Sequence, residues 1–259
     1  MKNIIKCLEA HCSRNKIGRE YALDKFLDFL ITFFDIEHYR GDWKDHVKTN
    51  AMVYPELMAA TLEWLKVTTA EIEKGGWYDS LGTLYEMMYQ SKNKASALGQ
   101  FFTPQSLCGL MADVTKQQLA SGDEKICDSA CGSGRTLLAA YGKFKKGYYI
   151  CEDIDHMSVK MCALNLMIHG ARGRVVCHDA LSSPIHFDWG FEINEIRYPF
   201  PNMFYSVRRI SNPKPEEEVK SENKLHPLFK PKPKPHPKPQ QEQKVEDHKY
   251  KPGDQMSLF

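Results

Sequence analysis

The stretch that decides the fold is Asp-Ser-Ala-Cys-Gly-Ser-Gly at residues 128–134. It follows a short strand pattern at residues 125–128 and precedes a helical pattern that begins at Arg135. Gly132 and Gly134 allow a sharp turn and a close approach of the backbone to a ligand, because no Cβ stands in the way. Such turns are common, so this one alone also fits a plain strand-to-helix connection.

Two more strand-to-helix steps follow along the chain. Residues 148–151 predict a second strand, and residues 156–169 predict an amphipathic helix that Gly170 ends. Residues 174–177 predict a third strand. Strands that alternate with helices usually pair in parallel, so the pattern predicts a doubly wound α/β layer.

An acidic residue lies at the end of each predicted strand. Asp128 ends the first strand, Glu152 and Asp153 follow the second, and Asp179 follows the third. Because the carboxyl ends of parallel strands meet at one edge of a sheet, we expect these acids to share one crevice. The second pair lies about 20 residues beyond the glycine turn, where α/β nucleotide folds place an acid against ribose hydroxyls. Any one of these acids could instead be an ordinary helix N-cap.

The region before the turn has a different pattern. Residues 1–98 predict a small helical domain, with apolar residues at three-and-four spacing in residues 20–38 and 57–65. The second of these helices is expected to end near Gly76, and a short helix is expected around residues 81–88. Such apolar stripes are typical of a core rather than of a ligand site.

The composition changes again after residue 210. Nine of the fourteen prolines lie between Pro213 and Pro252, and apolar residues are almost absent until the last few positions. Such a segment buries too little surface to offset the entropy of ordering it. Residues 211–259 are therefore predicted to be a disordered tail, extended by its Lys-Pro alternation.

Four motifs, in order, resemble those of one family. Residues 99–104, Gly-Gln-Phe-Phe-Thr-Pro, are similar to a signature in the modification subunits of type I restriction systems, which are adenine-N6 DNA methyltransferases. Residues 128–134 resemble their Asp-Pro-Ala-Cys-Gly-Ser/Thr-Gly motif, with serine in place of proline. Residues 152–170 and 179–181 resemble their next two motifs. The resemblance implies a Rossmann-like S-adenosylmethionine-dependent methyltransferase fold, with a partial parallel sheet, over residues 99–210.

The resemblance also implies roles for individual residues toward S-adenosylmethionine. The residues that would border its methionine end are Gln100, Phe101, Phe102 and Thr103. The groups that would hold its amino-acid part are Asp128 and the backbone around Ala130, Gly132 and Gly134. Asp153 would bind the ribose hydroxyls, or Glu152 if the alignment slips by one residue, and Asp179 would accept from the adenine amino group.

The family's catalytic motif does not occur in the sequence. In that motif, Asn-Pro-Pro-Phe or Tyr, the asparagine and first proline align the target adenine and the aromatic ring stacks on the flipped base. The only approximation is Asn212-Pro213, at the start of the predicted tail. The predicted sheet also lacks its second half, so its open edge would be covered by residues 182–210 or by a partner chain.

Two functions therefore remain open at this point. The chain could be an adenine-specific DNA methyltransferase that acts alone or with a complementary methyltransferase or specificity chain. It could instead be a catalytically inactive, cofactor-binding adaptor. The net charge of +2 favours weak or indirect contact with DNA over strong autonomous binding.

Further features bear on the compartment and on partners. No apolar run of about 18 residues and no signal peptide are present, which predicts a cytoplasmic protein without a membrane span. Eight scattered cysteines lack the paired spacing of a zinc site, so no metal is predicted.

The end of the chain resembles a docking peptide. The sequence Gln-Met-Ser-Leu-Phe at residues 255–259 is similar to motifs that bind the bacterial DNA sliding clamp, and a chance ending is the alternative. In the first interpretation Gln255 hydrogen-bonds at the rim of the clamp pocket, while Met256, Leu258 and Phe259 make apolar contacts.

Overall fold

A computed structural model describes most of the chain before the predicted tail. The described residues are 1–35, 43–89, 102–116, 125–182, 187–195 and 206–211. The predicted site residues Gln100 and Phe101 lie outside them, as do Asn212, Pro213 and the terminal peptide at residues 255–259. The predicted domain boundary at residue 98 also lies outside them.

Among the residues that the structure describes, five helices precede the site, and the apolar stripes read from the sequence form their core. These are α1 (Lys2–Asn15), α2 (Arg19–Phe34), α3 (Trp43–Val53), α4 (Pro55–Gly75) and α5 (Ser80–Tyr89). Pro55 lies in the first turn of α4, and Gly76 ends that helix with a left-handed φ of 79°. The predicted end near Gly76 is confirmed.

The second half of the described chain forms a five-stranded sheet with three more helices. The strands are β1 (Lys125–Asp128), β2 (Tyr148–Asp153), β3 (Arg172–Cys177), β4 (Trp189–Ile193) and β5 (Val207–Ile210). The helices are α6 (Gln105–Lys116), α7 (Arg135–Lys143) and α8 (His156–His169). The sheet order is β1-β2-β3-β4-β5, and β1, β2 and β3 run parallel. The predicted α/β architecture with parallel pairing is confirmed for these three strands.

The last two strands differ from the expected pattern. β4 pairs antiparallel with β3, with Phe191 opposite Val175, and β5 pairs antiparallel with β4. The segment between β3 and β4 is too short for the crossover helix that parallel pairing needs. Asn194, at the end of β4, donates from Nδ2 to the carbonyl oxygens of Met167 (3.1 Å) and Ala171 (2.8 Å), which ties this strand to the end of α8.

Helix α8 is the centre of the core and is buried all round, rather than the amphipathic helix that its sequence predicts. From Ser158 to His169 every residue except Lys160 is buried. Lys160 itself makes ion pairs with Asp24 (2.7 Å) and Asp28 (2.6 Å) of α2. A helix that is covered on all sides can be apolar all round, because it has no solvent-facing stripe. One hydrophobic cluster accordingly extends from the N-terminal helices into the sheet.

No helix in the described ranges is both long enough and apolar enough to cross a membrane.

His169, the last residue of α8, joins this helix to the segment between α4 and α5. Its Nε2 accepts from the backbone N–H of Tyr78 (3.0 Å), and its Nδ1 lies 2.6 Å from the carbonyl oxygen of Asn165. The ring is therefore neutral, with its proton on Nδ1. Burial lowers the pKa of His169 from 6.5 to about 4.

We predict that this histidine makes the fold sensitive to acid. Since its folded-state pKa lies below the unfolded value, its contribution is complete above pH 6.5 and is lost as the pH falls toward 4. Between pH 7 and pH 5 the free energy of unfolding should fall by about 2 kcal/mol through this group. Urea unfolding at both pH values measures the change. In the His169→Gln variant the free energy of unfolding should fall less between the two pH values than it does in the native protein. In the control His156→Gln, at an exposed position, it should fall as much as in the native protein. Equal falls in all three proteins would contradict the assignment.

Candidate cofactor site

The turn between β1 and α7 is built around two left-handed glycines. Gly132 has a φ of 53° and Gly134 a φ of 84°, a region that other residues adopt only with strain. The N–H of Gly134 donates to the carbonyl oxygen of Cys131 (2.8 Å). A Cβ at position 134 would lie 2.9 Å from Sγ of Cys162 in α8, so glycine is also needed for the turn to pack on that helix.

Asp128 closes the start of the turn. Its Oδ1 accepts from the N–H of Ala130 (3.1 Å), and its Oδ2 accepts from the hydroxyl of Thr136 (2.6 Å). The carboxylate therefore joins the end of β1 to the first turn of α7. Asp128 is half-buried.

Asp153 connects the end of β2 to the same turn. Its Oδ2 accepts from the N–H of Gly132 (2.8 Å), and its Oδ1 accepts from the N–H of Asp155 (2.9 Å). The carbonyl oxygen of the preceding residue, Glu152, accepts from the N–H of Cys131 (2.9 Å). The structure thus brings the predicted glycine turn and the second pair of acids together.

The other two acids have different surroundings. The half-buried Glu152 carboxylate has no hydrogen-bond partner among the described residues. Asp179 is exposed just beyond β3, where its Oδ1 accepts from the N–H of Leu181 (3.0 Å). Since β1, β2 and β3 are parallel, all of these acids lie at the same end of the sheet, where the three strands finish, as predicted.

Phe102 and Thr103 form a wall beside the turn. A Cβ on Gly132 would lie 3.2 Å from the Phe102 ring, so the ring lies against the turn. Tyr85 packs edge-to-face on this ring at 5.6 Å, and the guanidinium of Arg135 lies 5.4 Å from its centroid. Nη1 of Arg135 also donates to the carbonyl oxygen of Thr103 (3.3 Å).

A buried polar cluster beneath the turn was not predicted from the sequence. At its centre is Asp79, which is fully buried just before α5. Its Oδ2 accepts from Nε of Arg135 (2.7 Å) and Oγ of Ser133 (2.6 Å), and its Oδ1 accepts from the N–H of Gly82 (2.8 Å) and Nδ2 of Asn165 (2.8 Å). Burial raises the pKa of Asp79, and the adjacent Arg135 opposes that rise.

Only one contact of this cluster could be predicted from a local sequence pattern. An aspartate just before a helix is an N-cap when its side chain accepts from the backbone N–H three residues later. The bond from the Gly82 N–H to Asp79 fits that pattern. Its partners Ser133, Arg135 and Asn165 lie 54 to 86 residues away, and no local pattern indicates them.

The cysteines near the turn are packing residues. Burial raises the pKa of Cys151 and raises that of Cys162 well above its ordinary value, so both remain thiols. In the part of the chain that the structure describes, no three His, Cys, Asp or Glu side chains are grouped to hold a metal ion.

A glycine turn after the first strand, with acids at the ends of three parallel strands, defines a Rossmann-like α/β fold. A profile of the N-6 DNA methylase family matches residues 77–236, more than half of the chain. The chain belongs to the N-6 DNA methylase family.

Individual relatives are type I restriction enzyme methylase subunits. The chain is 28% identical over 147 residues to the MpnII subunit of Mycoplasma pneumoniae, covering 51% of this chain and 27% of that one. It is 30% identical over 150 residues to the MjaIX subunit of Methanocaldococcus jannaschii, covering 54% and 26%. A methyltransferase subunit of a type I restriction-modification system from Streptococcus thermophilus matches in structure with a TM-score of 0.34 and 21% identity, covering 52% and 31%. The chain spans about a quarter of the length of the curated relatives that it matches.

Proposed function

We propose that this chain binds S-adenosylmethionine at the glycine turn and takes part in adenine-specific DNA methylation in the cytoplasm. The observation that carries the proposal is the bond from the Gly132 N–H to Asp153, which joins the turn to the acidic end of β2 beside Phe102. Backbone groups, carboxylates and an aromatic wall are then available around one crevice. Membership in the N-6 DNA methylase family supports this choice of cofactor.

The amino-acid part of the cofactor is assigned to Asp128 and to the backbone around Ala130, Gly132 and Gly134. A carboxylate at a strand end attracts the cofactor's ammonium group, and left-handed glycines let the backbone approach closely. Phe102 and Thr103 border the methionine end, together with Gln100 and Phe101 from outside the described residues.

The ribose is assigned to Glu152 rather than Asp153. Both oxygens of Asp153 accept backbone N–H groups, from Gly132 and Asp155, and both oxygens of Asp128 are bonded as well, so each of these oxygens keeps one lone pair. One lone pair is enough for the single ammonium group assigned to Asp128, whereas a pair of ribose hydroxyls favours a carboxylate without such bonds. Glu152, which has no described partner, leaves two acceptor oxygens for a pair of hydroxyls. The adenine amino group is assigned to Asp179, since only its Oδ1 is bonded among the described residues.

Cofactor binding should be measurable by calorimetry with S-adenosylmethionine. Asp128→Ala should abolish it, because the ammonium group loses its partner, and Gly132→Val should abolish it through strain and side-chain bulk at the turn. Glu152→Gln should weaken binding about tenfold, the loss of one charge-assisted hydrogen bond, and leave the unfolding transition unchanged. Asp153→Asn should lower both affinity and stability. No binding by the native protein at millimolar ligand would reject the site.

Methyl transfer is a separate matter, because the 259 residues contain no Asn-Pro-Pro-Phe or Asn-Pro-Pro-Tyr. We propose that the chain alone does not transfer methyl groups and that a complementary chain supplies the adenine-holding residues. Among the described residues β1 pairs only with β2, so β4 and β5 extend the opposite edge of the sheet. The face of α6 beside β1 carries apolar side chains that are 45% to 60% exposed: Leu107, Leu110, Met111 and Val114.

A groove of about 350 Å³ lies between α6, β1 and α7, lined by Met111, Ile126 and Leu137 among others. An added strand along β1 would cover this groove and would end beside Asp128, next to the cofactor. This edge is therefore the proposed docking position of the complementary chain.

The purified chain alone should not methylate DNA to a measurable extent. Positioning of the target amino group supplies much of the rate in such reactions, and the residues that provide it are absent. An assay with methyl-labelled S-adenosylmethionine on DNA of mixed sequence tests this. Robust transfer by the single chain would contradict the proposal. Loss of that transfer in Asn212→Ala would then assign catalysis to Asn212 and Pro213.

A second candidate function is that of an adaptor on the bacterial sliding clamp. The feature that favours it is Gln-Met-Ser-Leu-Phe at residues 255–259, which follows a proline-rich segment outside the described residues. An apolar anchor joined to such a segment suits a docking peptide. A nearly neutral protein would then reach DNA through a DNA-bound ring, without strong phosphate contacts of its own.

Clamp docking should be seen when the full chain is titrated with purified clamp. The expected dissociation constant is on the order of micromolar, because a short peptide must order as it binds. A double variant, Leu258→Ala with Phe259→Ala, removes the two principal apolar contacts and should lose binding. Equal binding by both proteins, or none by either, would reject the docking role.

A further inference from the structure

We infer that Asp79 is a positioning residue for the cofactor: it holds the glycine turn and the Phe102 wall in one arrangement. The inference rests on the proposed function, because it concerns the same crevice. Asp79 itself is fully buried beneath the turn.

The first step concerns Ser133, which lies between the two left-handed glycines. Its hydroxyl donates to Asp79 (2.6 Å), and its carbonyl oxygen accepts from Nδ2 of Asn165 (2.9 Å). The same Asn165 amide donates to Asp79 (2.8 Å). Because Gly132 and Gly134 leave the backbone unusually free, a turn of this composition needs anchoring from outside. The anchors at Ser133 provide it.

The second step concerns Arg135, which connects the anchored turn to the Phe102 wall. Its Nε donates to Asp79 (2.7 Å), and its two terminal nitrogens donate to Glu86 at 3.1 Å each. Its Nη1 also donates to the carbonyl oxygen of Thr103 (3.3 Å), next to Phe102. One carboxylate therefore connects, through one guanidinium, the turn and the segment that packs on it.

Arg135 occupies a location that is unfavourable for a positive charge. It is the first residue of α7, where the helix dipole disfavours a positive charge. It is also almost fully buried, at 6% exposure. A buried cation at this end of a helix requires carboxylate partners, and Asp79 and Glu86 are those partners.

The third step concerns the tightness of the packing around the carboxylate. A Cβ on Gly82 would lie 2.1 Å from Oδ2 of Asp79 and 2.6 Å from Oγ of Ser133. Helix α5 therefore touches the carboxylate with its backbone. Any side chain at position 82 must displace Asp79, Ser133 or both.

A purely structural role for Asp79 predicts a different set of results for the variants. Removing the charge of a buried pair lowers stability wherever the pair lies. A positioning role additionally lowers cofactor affinity in protein that is still folded, and it loosens the turn itself. The experiment measures both of these beside the unfolding transition, using S-adenosylmethionine as the probe.

The variants are Asp79→Asn, Ser133→Ala and the two combined, with Thr61→Val as the control. Thr61 is also fully buried, but its hydroxyl bonds only to Leu57 within α4. At a temperature where all are folded, Asp79→Asn and Ser133→Ala should each weaken cofactor binding about tenfold or more. The double variant should bind the cofactor only slightly more weakly than Asp79→Asn does, because both changes remove the same hydrogen bond between Ser133 and Asp79. Thr61→Val should bind as the native protein does.

Amide hydrogen exchange over residues 129–135 gives a readout that does not depend on the cofactor. Exchange there should rise in Asp79→Asn and Ser133→Ala and stay unchanged in Thr61→Val. Gly82→Ala should raise it as well, with the charge retained, whereas Gly109→Ala should not, because nothing lies within 4 Å of a Cβ there.

Native affinity and native exchange in folded Asp79→Asn would overturn the inference. If the native protein fails to bind the cofactor, the proposed function fails, and the exchange comparison still decides whether Asp79 holds the turn. If Asp79→Asn does not fold, Ser133→Ala and Gly82→Ala decide it.

Discussion

The short turn between β1 and α7 is constrained from three sides, and the arrangement of the other elements follows from that constraint. Asp153 accepts the Gly132 N–H from the side of β2, Cys162 of α8 lies against Gly134, and Phe102 lies against Gly132. A side chain at Gly134 would displace Cys162, and one at Gly132 would press on Phe102. The close packing of the turn therefore depends on where β2, α8 and the segment before α6 lie.

Helix α8 transmits this constraint to the N-terminal helices. Asn165 contacts the turn through Ser133, His169 accepts from Tyr78, and Lys160 pairs with α2. These polar contacts sit on a helix that is otherwise apolar and buried. Apolar burial supplies the driving force for packing, but it is non-directional, so the few hydrogen bonds determine the register. The helical region is thus part of the site's support, although none of its residues is assigned a direct contact with the cofactor.

The sequence was informative where a signal was local. The helices with apolar stripes, the three parallel strands and the acids at their ends all follow from spacing within short windows. Two features had no such signal. Asp79 has partners far along the chain, and β4 turns back on β3, where Asn194 adopts a φ of 54° and bonds to Met167 and Ala171. The burial of α8 on all sides likewise had no local signal, because it depends on helices and strands far along the chain that pack around it.

The geometry of the sheet separates the proposed cofactor site from the proposed position of the target base. All of the contacts that shape the turn come from elements on the β2 side of β1 or from α5, α6 and α7. None of them requires a strand on the other side of β1, so the cofactor crevice can be complete while that edge has no described partner. The proposed complementary chain would bring its adenine-holding residues to that edge, because the carboxyl end of a parallel strand added there would lie beside Asp128. The absence of an Asn-Pro-Pro-aromatic motif is therefore compatible with an intact cofactor site in the same chain.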